Sequence, residues 1–357
     1  EQVGLGRAMP FHSVLTNAIP PGQIDTTGKF GPWQVDDPGA TPVTGSFTFA
    51  DADLSVFKGI GGTLSARGTY GGTLGRIEAE GHTTTPDFVV STSGQPVGLE
   101  TTYRAVIDGT NGDTTLDRVE ARFLETELVA MGGVYDVAGQ DGRHLALDVT
   151  IARGRLEDVL RLAVPSPTPT MTGGLTLDAR LDLPPGDREV IEKLELDGSF
   201  TIDEGRFTDR DVQRRVNTLS GKARDLDEEK VRAVRSDFSG RFQLRDSQLM
   251  LDPLRFNVPG ALVEMHGSYA LRSERLAFAG QLLMDASVSD TVSGWKSLLL
   301  KPFDPLFRKD GQTFVPLRIS GTRKNPSFGV DVKRIFDKDA PPTPPRRGSS
   351  SRRAKAR

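Results

Sequence analysis

Between about residue 43 and residue 332, apolar side chains recur at every second position. Leu276, Phe278, Gly280, Leu282, Met284, Ala286 and Val288 share one parity, with Ala277, Ala279, Gln281 and Asp285 among the residues between them. Val263, Met265, Gly267, Tyr269 and Leu271 repeat the arrangement against Glu264, His266 and Ser268. Leu99 to Ile107, Leu145 to Ile151, Leu175 to Leu183, Leu194 to Ile202 and Leu254 to Val258 do the same. A period of two belongs to strands with one apolar and one polar face. Parallel sheets covered by helices on both faces would instead show unbroken apolar runs. The pattern therefore predicts an antiparallel all-β chain, and on periodicity alone its apolar faces read equally as the ordinary core of a sandwich or solenoid.

Helical spacing is confined to short stretches that serve as caps. Leu156, Val159, Leu160 and Ala163 predict a helix before Pro165. A turn or two is expected over Asp187 to Lys193, and a helix over Asp209 to Ser220 with Thr208 as its N-cap. Ser289 to Leu300 completes the set. Gly-x-aromatic triplets at Gly68, Gly133 and Gly267 suggest a repeat of about 65 residues, although further copies at Gly45, Gly205 and Gly240 fall out of register.

The pattern divides the chain into three parts. Residues 1–42 read as an irregular N-terminal segment, 43–338 as the β region, and 339–357 as a Pro-rich basic tail. That tail holds six of the 45 basic residues and a single acid, Asp339, a composition that cannot bury a core. The whole chain of 357 residues has a net charge of −3, against a globally basic nucleic-acid binder. The basic tail reads either as a solubilising extension or as an anchor to anionic lipid headgroups. Hydrophobic residues are only 36%, but 39 glycines make up much of the deficit. With no cysteine there is no thiolate metal site, disulfide or cysteine nucleophile. No apolar run is long enough for a membrane helix, and the sequence opens Glu1-Gln2-Val3-Gly4 without a signal pattern. It reads as a processed product or a fragment.

Catalytic patterns are not assembled. His12, His82, His144 and His266 are scattered without paired spacing. Ser55 to Lys58 and Ser293 to Lys296 match S-x-x-K but have no S-D-N or K-T-G partner. The glycines from Gly59 to Gly62 lack a strand–helix context, and the acids at Asp225, Asp227, Glu228 and Glu229 read as solvated. No enzyme activity, metal or cofactor is expected.

Several stretches, taken in order, resemble the C-terminal region of the AsmA-like envelope proteins of Gram-negative bacteria. They are Val315-Pro316-Leu317-Arg318-Ile319-Ser320-Gly321-Thr322 with Asn325-Pro326-Ser327-Phe328-Gly329-Val330-Asp331, and the preceding Leu299 to Phe307. Gly205-Arg206-Phe207-Thr208 with Val212 to Gly221, and Gly154 to Leu160 leading to Met171-Thr172-Gly173-Gly174-Leu175, add two more blocks. The resemblance spans residues 40–336 and implies kinship with bridge-like lipid-transfer proteins, hence an elongated, twisted antiparallel β-sheet curved into an open groove lined by apolar side chains, with a few short helices as caps. It implies a periplasmic location, inner-membrane anchoring by a segment missing from this chain, and movement of phospholipid between inner and outer membranes.

On that reading the acyl chains meet Leu177, Leu196, Phe200, Phe256, Val263, Met265, Tyr269, Phe278, Leu282 and Met284. Such chains need no directional partners, because each buried CH₂ contributes about 0.8 kcal/mol. Glycine at inward positions (Gly133, Gly198, Gly267 and Gly280) would remove bulk and permit bending. Trp295, Leu299, Phe303 and Phe307 are candidates for contact with a membrane or an envelope protein partner, or for a plug over the last strands. The alternative is a structural or assembly β-protein of the envelope with a closed core and no lipid ligand.

Overall fold

The computed structural model describes residues 6–223, 234–284, 308–309, 312–323 and 325–330. The first strands are β1 (Met9–Ala18), β2 (Pro21–Phe30), β3 (Pro42–Asp53), β4 (Ile60–Gly61), β5 (Thr63–Thr73) and β6 (Arg76–Val90). Then come β7 (Val97–Ile107), β8 (Thr114–Phe123), β9 (Thr126–Asp136), β10 (Arg143–Arg155), β11 (Met171–Leu183) and β12 (Glu195–Phe207). The remainder are β13 (Ser236–Arg245), β14 (Gln248–Val258), β15 (Ala261–Ala270), β16 (Arg275–Met284), β17 (Arg308–Lys309), β18 (Gln312–Thr322) and β19 (Pro326–Val330).

Every long strand pairs antiparallel with the next long strand in sequence, from β1 with β2 to β18 with β19. The two-residue β4 and β17 are side ladders on β6 and β18. The result is one open antiparallel meander that does not close into a barrel. Turns alternate between two rims. One rim carries the β1–β2, β3–β5, β6–β7, β8–β9, β10–β11 and β12–β13 connections, and the other carries those between.

The N-terminal segment expected to be irregular is not so over its described residues, 6–42, since β1 and β2 lie within it. Its alternation is muted in sequence because Thr26 and Gly28 stand where Ile24 and Phe30 carry the apolar parity. Three short helices accompany the sheet: α1 (Leu156–Ala163), α2 (Val190–Lys193) and α3 (Arg210–Ala223). The cap of α3 differs from expectation. Asp209 Oδ1 accepts the Val212 N–H at 2.9 Å, while the Thr208 hydroxyl donates to Pro169 O at 2.6 Å. A carboxylate is the stronger acceptor for the first-turn amides, and Thr208 is engaged elsewhere. The Ser289–Leu300 stretch, the acids at 225–229 and the tail lie outside the described residues.

Candidate apolar trough

The register of the meander gives the sheet two chemically distinct faces. Directly opposed residues share a face, so a cross-strand row can be followed. It runs Ser13, Thr26, Phe47, Gly68, Gly81, Tyr103, Val119 and Ala130 across β1 to β9. It continues through Val149, Ala179, Gly198, Phe242, Leu251, Gly267, Phe278 and Ile319 as far as β18. This row carries no charged residue. A neighbouring row on the other face reads Thr27, Ser46, Thr69, Glu80, Arg104 and Arg118. The apolar parity thus forms one face spanning the whole sheet, and among the described residues no second sheet covers it.

The same face holds the groove candidates. Leu177 opposes Phe200, Leu196 opposes Leu181, Phe256 opposes Val263, and Tyr269 opposes Leu276. Met265 opposes Leu254 and Gly280, Leu282 opposes Val315, and Met284 is the register partner of Ala261. They are not equally accessible. Val263 and Met265 at 7%, Phe278 at 9% and Leu282 at 4% belong to a packed cluster with Val258, Val315 and Val216 of α3. Phe256 and Tyr269 pack against that cluster, and Leu177 and Phe200 against a smaller one formed by Ile151, Leu175 and Ile202. Leu196 is half-buried. Trp295, Leu299, Phe303 and Phe307 lie outside the described residues.

Over β1 to β8 the face is different. Phe11, Ile24, Phe30, Phe47, Phe49, Tyr70 and Tyr103 are half-buried. Seven aromatic residues on the whole face lie directly opposite a glycine: Phe11 on Gly28, Tyr70 on Gly45, Phe47 on Gly68, Tyr103 on Gly81, Phe200 on Gly240, Phe278 on Gly267 and Phe242 on Gly198. In the first six pairs a ring carbon comes within 2.7 to 3.1 Å of where the glycine Cβ would stand. The glycines are therefore berths for rings laid flat across the neighbouring strand, the arrangement in which an aromatic covers an exposed strand glycine. This signal was available in the sequence as G-x-aromatic triplets, but only the register shows which ring covers which glycine.

Gly133 departs from this set. Its register partners are Thr115 and Ala146, which puts it on the polar face beneath the Tyr135 ring. Val134, opposite Leu145, takes the apolar side instead.

Electrostatics follow the two faces. Burial pushes the Tyr103 phenol up, as expected for a hydroxyl among apolar side chains. On the polar face, Glu264 accepts from Arg255 at 2.9 Å and from Gln281 at 3.1 Å. The Arg255 bond holds its carboxyl below the usual range. A depression of about 1030 Å³ also belongs mainly to this face and is lined by residues including Asp25, Thr48, Arg67, Glu80, His82 and Arg104. The sequence reading did not single it out.

Helix α1 closes one rim. Leu156 and Val159 rest on the Ile151–Leu175–Ile202 cluster. Buried Asp158 accepts from Thr126 Oγ1 at 2.8 Å and from the Glu125 amide at 3.1 Å. The opposite rims meet once around α2: the Val190 amide donates to Lys58 O at 2.8 Å, and Lys58 Nζ donates to Asp187 O at 2.9 Å. Arg272 holds this loop through Glu189, at 3.0 Å, and Glu192.

Among the described residues no group of three or more His, Cys, Asp or Glu is placed to hold a metal ion, and no helix is long and apolar enough to cross a membrane. No known protein family, curated protein or solved structure matches the chain.

Proposed function

We propose that the chain is a non-enzymatic lipid-binding module. It holds phospholipid acyl chains against the apolar face of its sheet and moves or bridges them between the inner and outer membranes. One observation carries this reading: an uncharged row continuous from β1 to β18, half-buried over β1 to β8 and covered by no second sheet among the described residues. A sheet face of this kind loses free energy to water unless something apolar lies on it, and acyl chains require no polar partner there. Headgroups remain outside, at the rims. The resemblance of residues 40–336 to AsmA-like proteins supports a periplasmic site of action beside the membranes.

A second reading, an envelope assembly protein with a closed core, draws on the packed cluster around Val258, Val315 and Val216. The two readings differ in what touches the open stretch. Photoreactive residues at Phe47, Tyr103 and Ile24 are expected to form lipid adducts in cells, while Thr48, Thr102 and Asp25 on the other face are not. Adducts to protein alone from the first set would decide for the closed-core reading.

A further inference from the structure

Strand β1 leaves one long side unpaired. It pairs with β2 over its full length, from Met9 with Phe30 to Ala18 with Pro21, without a shift of register. Among the described residues no other strand pairs with it. Such an edge presents a row of free main-chain N–H and C=O groups, which proteins ordinarily blunt with charge, a bulge or a covering element. Among the described residues none of these protects β1. No Lys, Arg, Asp or Glu occurs between Ala8 and Pro20, and the one breaker, Pro10, stands beside the strand's first residue. At the same corner Val14 is 55% exposed, Leu15 53% and Ile19 68%. The opposite end of the sheet is much shorter, since β19 has five residues and opens on Pro326.

The chemistry of an occupant follows from the strip it would complete. Met9, Phe11 and Leu15 carry the trough face outward through their partners Phe30, Gly28 and Ile24. A further antiparallel strand with apolar residues at alternate positions would continue that face and cover Leu15. Its main chain would supply most of the attraction, and its alternation the selectivity. β1 carries no Lys, Arg, Asp or Glu, and its His12 is bonded to Asp25 at 2.9 Å, so pattern rather than charge decides what fits.

We infer that the outer edge of β1 is a docking edge for an extended polypeptide segment of alternating apolar and polar residues. The segment lies antiparallel on Phe11–Ala18 and lengthens the apolar trough by one strand. This does not depend on lipid being the trough's ligand.

Because the chain has no cysteine, Ser13→Cys gives one thiol on the apolar face of β1. The probe is a synthetic peptide of residues 21–30, whose even-numbered positions share the trough face when the segment pairs with β1, with single cysteines placed in turn from position 22 to position 28. Under thiol-exchange conditions, cysteines at 22, 24, 26 and 28 should be trapped about fivefold more than those at 23, 25 and 27, because strand pairing sorts side chains by face. Val14→Cys, on the other face, should invert the preference, and urea should abolish both. Equal trapping at the two parities, or none above the unfolded control, overturns the inference. Disulfide-linked pairs of the protein forming equally with and without peptide would assign the edge to a second copy instead.

Discussion

The two ends of one sheet, built on the same alternation, differ in what lies over the apolar face. Around β12 to β18 the face is long-chained and closed. Val258 is 1% exposed and Val315 0%, and Val216 of α3 completes the cluster. Phe207, Phe238 and Phe256 lock together at ring separations of 4.6 to 6.4 Å. Across β1 to β8 the same parity is shared with Thr26, Gly28, Gly68, Gly81, Thr83 and Thr101, and the rings lie in glycine berths. Alternation decides which side is apolar. Side-chain length on neighbouring strands, and a helix at the rim, decide whether that side is a core or a surface.

This contrast can be broken most directly by truncating a ring at each end. Phe278→Ala should cost about 3–5 kcal/mol in urea unfolding, because its site is packed and cannot collapse. Phe11→Ala, at the half-buried end, should cost about 1 kcal/mol. Equal losses would mean that both ends are core. Glycine berths give a second comparison. Gly267→Ala drives a methyl into Phe278 and its backbone and should lose about 1–3 kcal/mol. Gly71→Ala meets only Thr44 Cγ2 at 3.7 Å and should leave the melting temperature unchanged or slightly raised.

The rim contributes a comparable, local term. Asp158→Ala leaves the Thr126 O–H and the Glu125 N–H without their acceptor and should lose about 1–3 kcal/mol, seen first as faster hydrogen exchange in α1 and β9. The smallest effect concerns pH. Glu264 has a folded pKa below its ordinary value of 4.5. Its contribution is therefore present above that value and fades as the pH falls through the depressed one. Glu264→Gln should make stability less dependent on pH below about 4.5, and an unchanged acid limb would remove Glu264 from the account.

The face assignment was legible in the sequence wherever the alternation used large residues, as at Leu276 to Leu282. It failed where small or polar residues carried the apolar parity. Thr26 and Gly28 hid β2, and Gly133, beside Val134, was assigned to the wrong side. Helices α1 and α3 could be read from their spacing, but the cap on α3 could not, because Thr208 and Asp209 are both good caps and only the position of Pro169 separates them. Burial was not legible at all. Nothing in the sequence marks Val263 and Met265 as core and Phe47 as surface, since the difference depends on which element covers each. Nor could pairing statistics show that among the described residues β1 pairs on one side only.

The meander has a consequence for how such a molecule fails and grows. Each long strand pairs only with its immediate neighbours, so the sheet behaves as a one-dimensional chain of nearest-neighbour couplings. Damage at β6 should loosen β5 and β7 and decay before it reaches β15. A hairpin inserted anywhere along the meander adds about 10 Å of width, and the two faces stay continuous through it. Length in such a protein is a quantity that mutation can adjust by duplication, without redesigning a core.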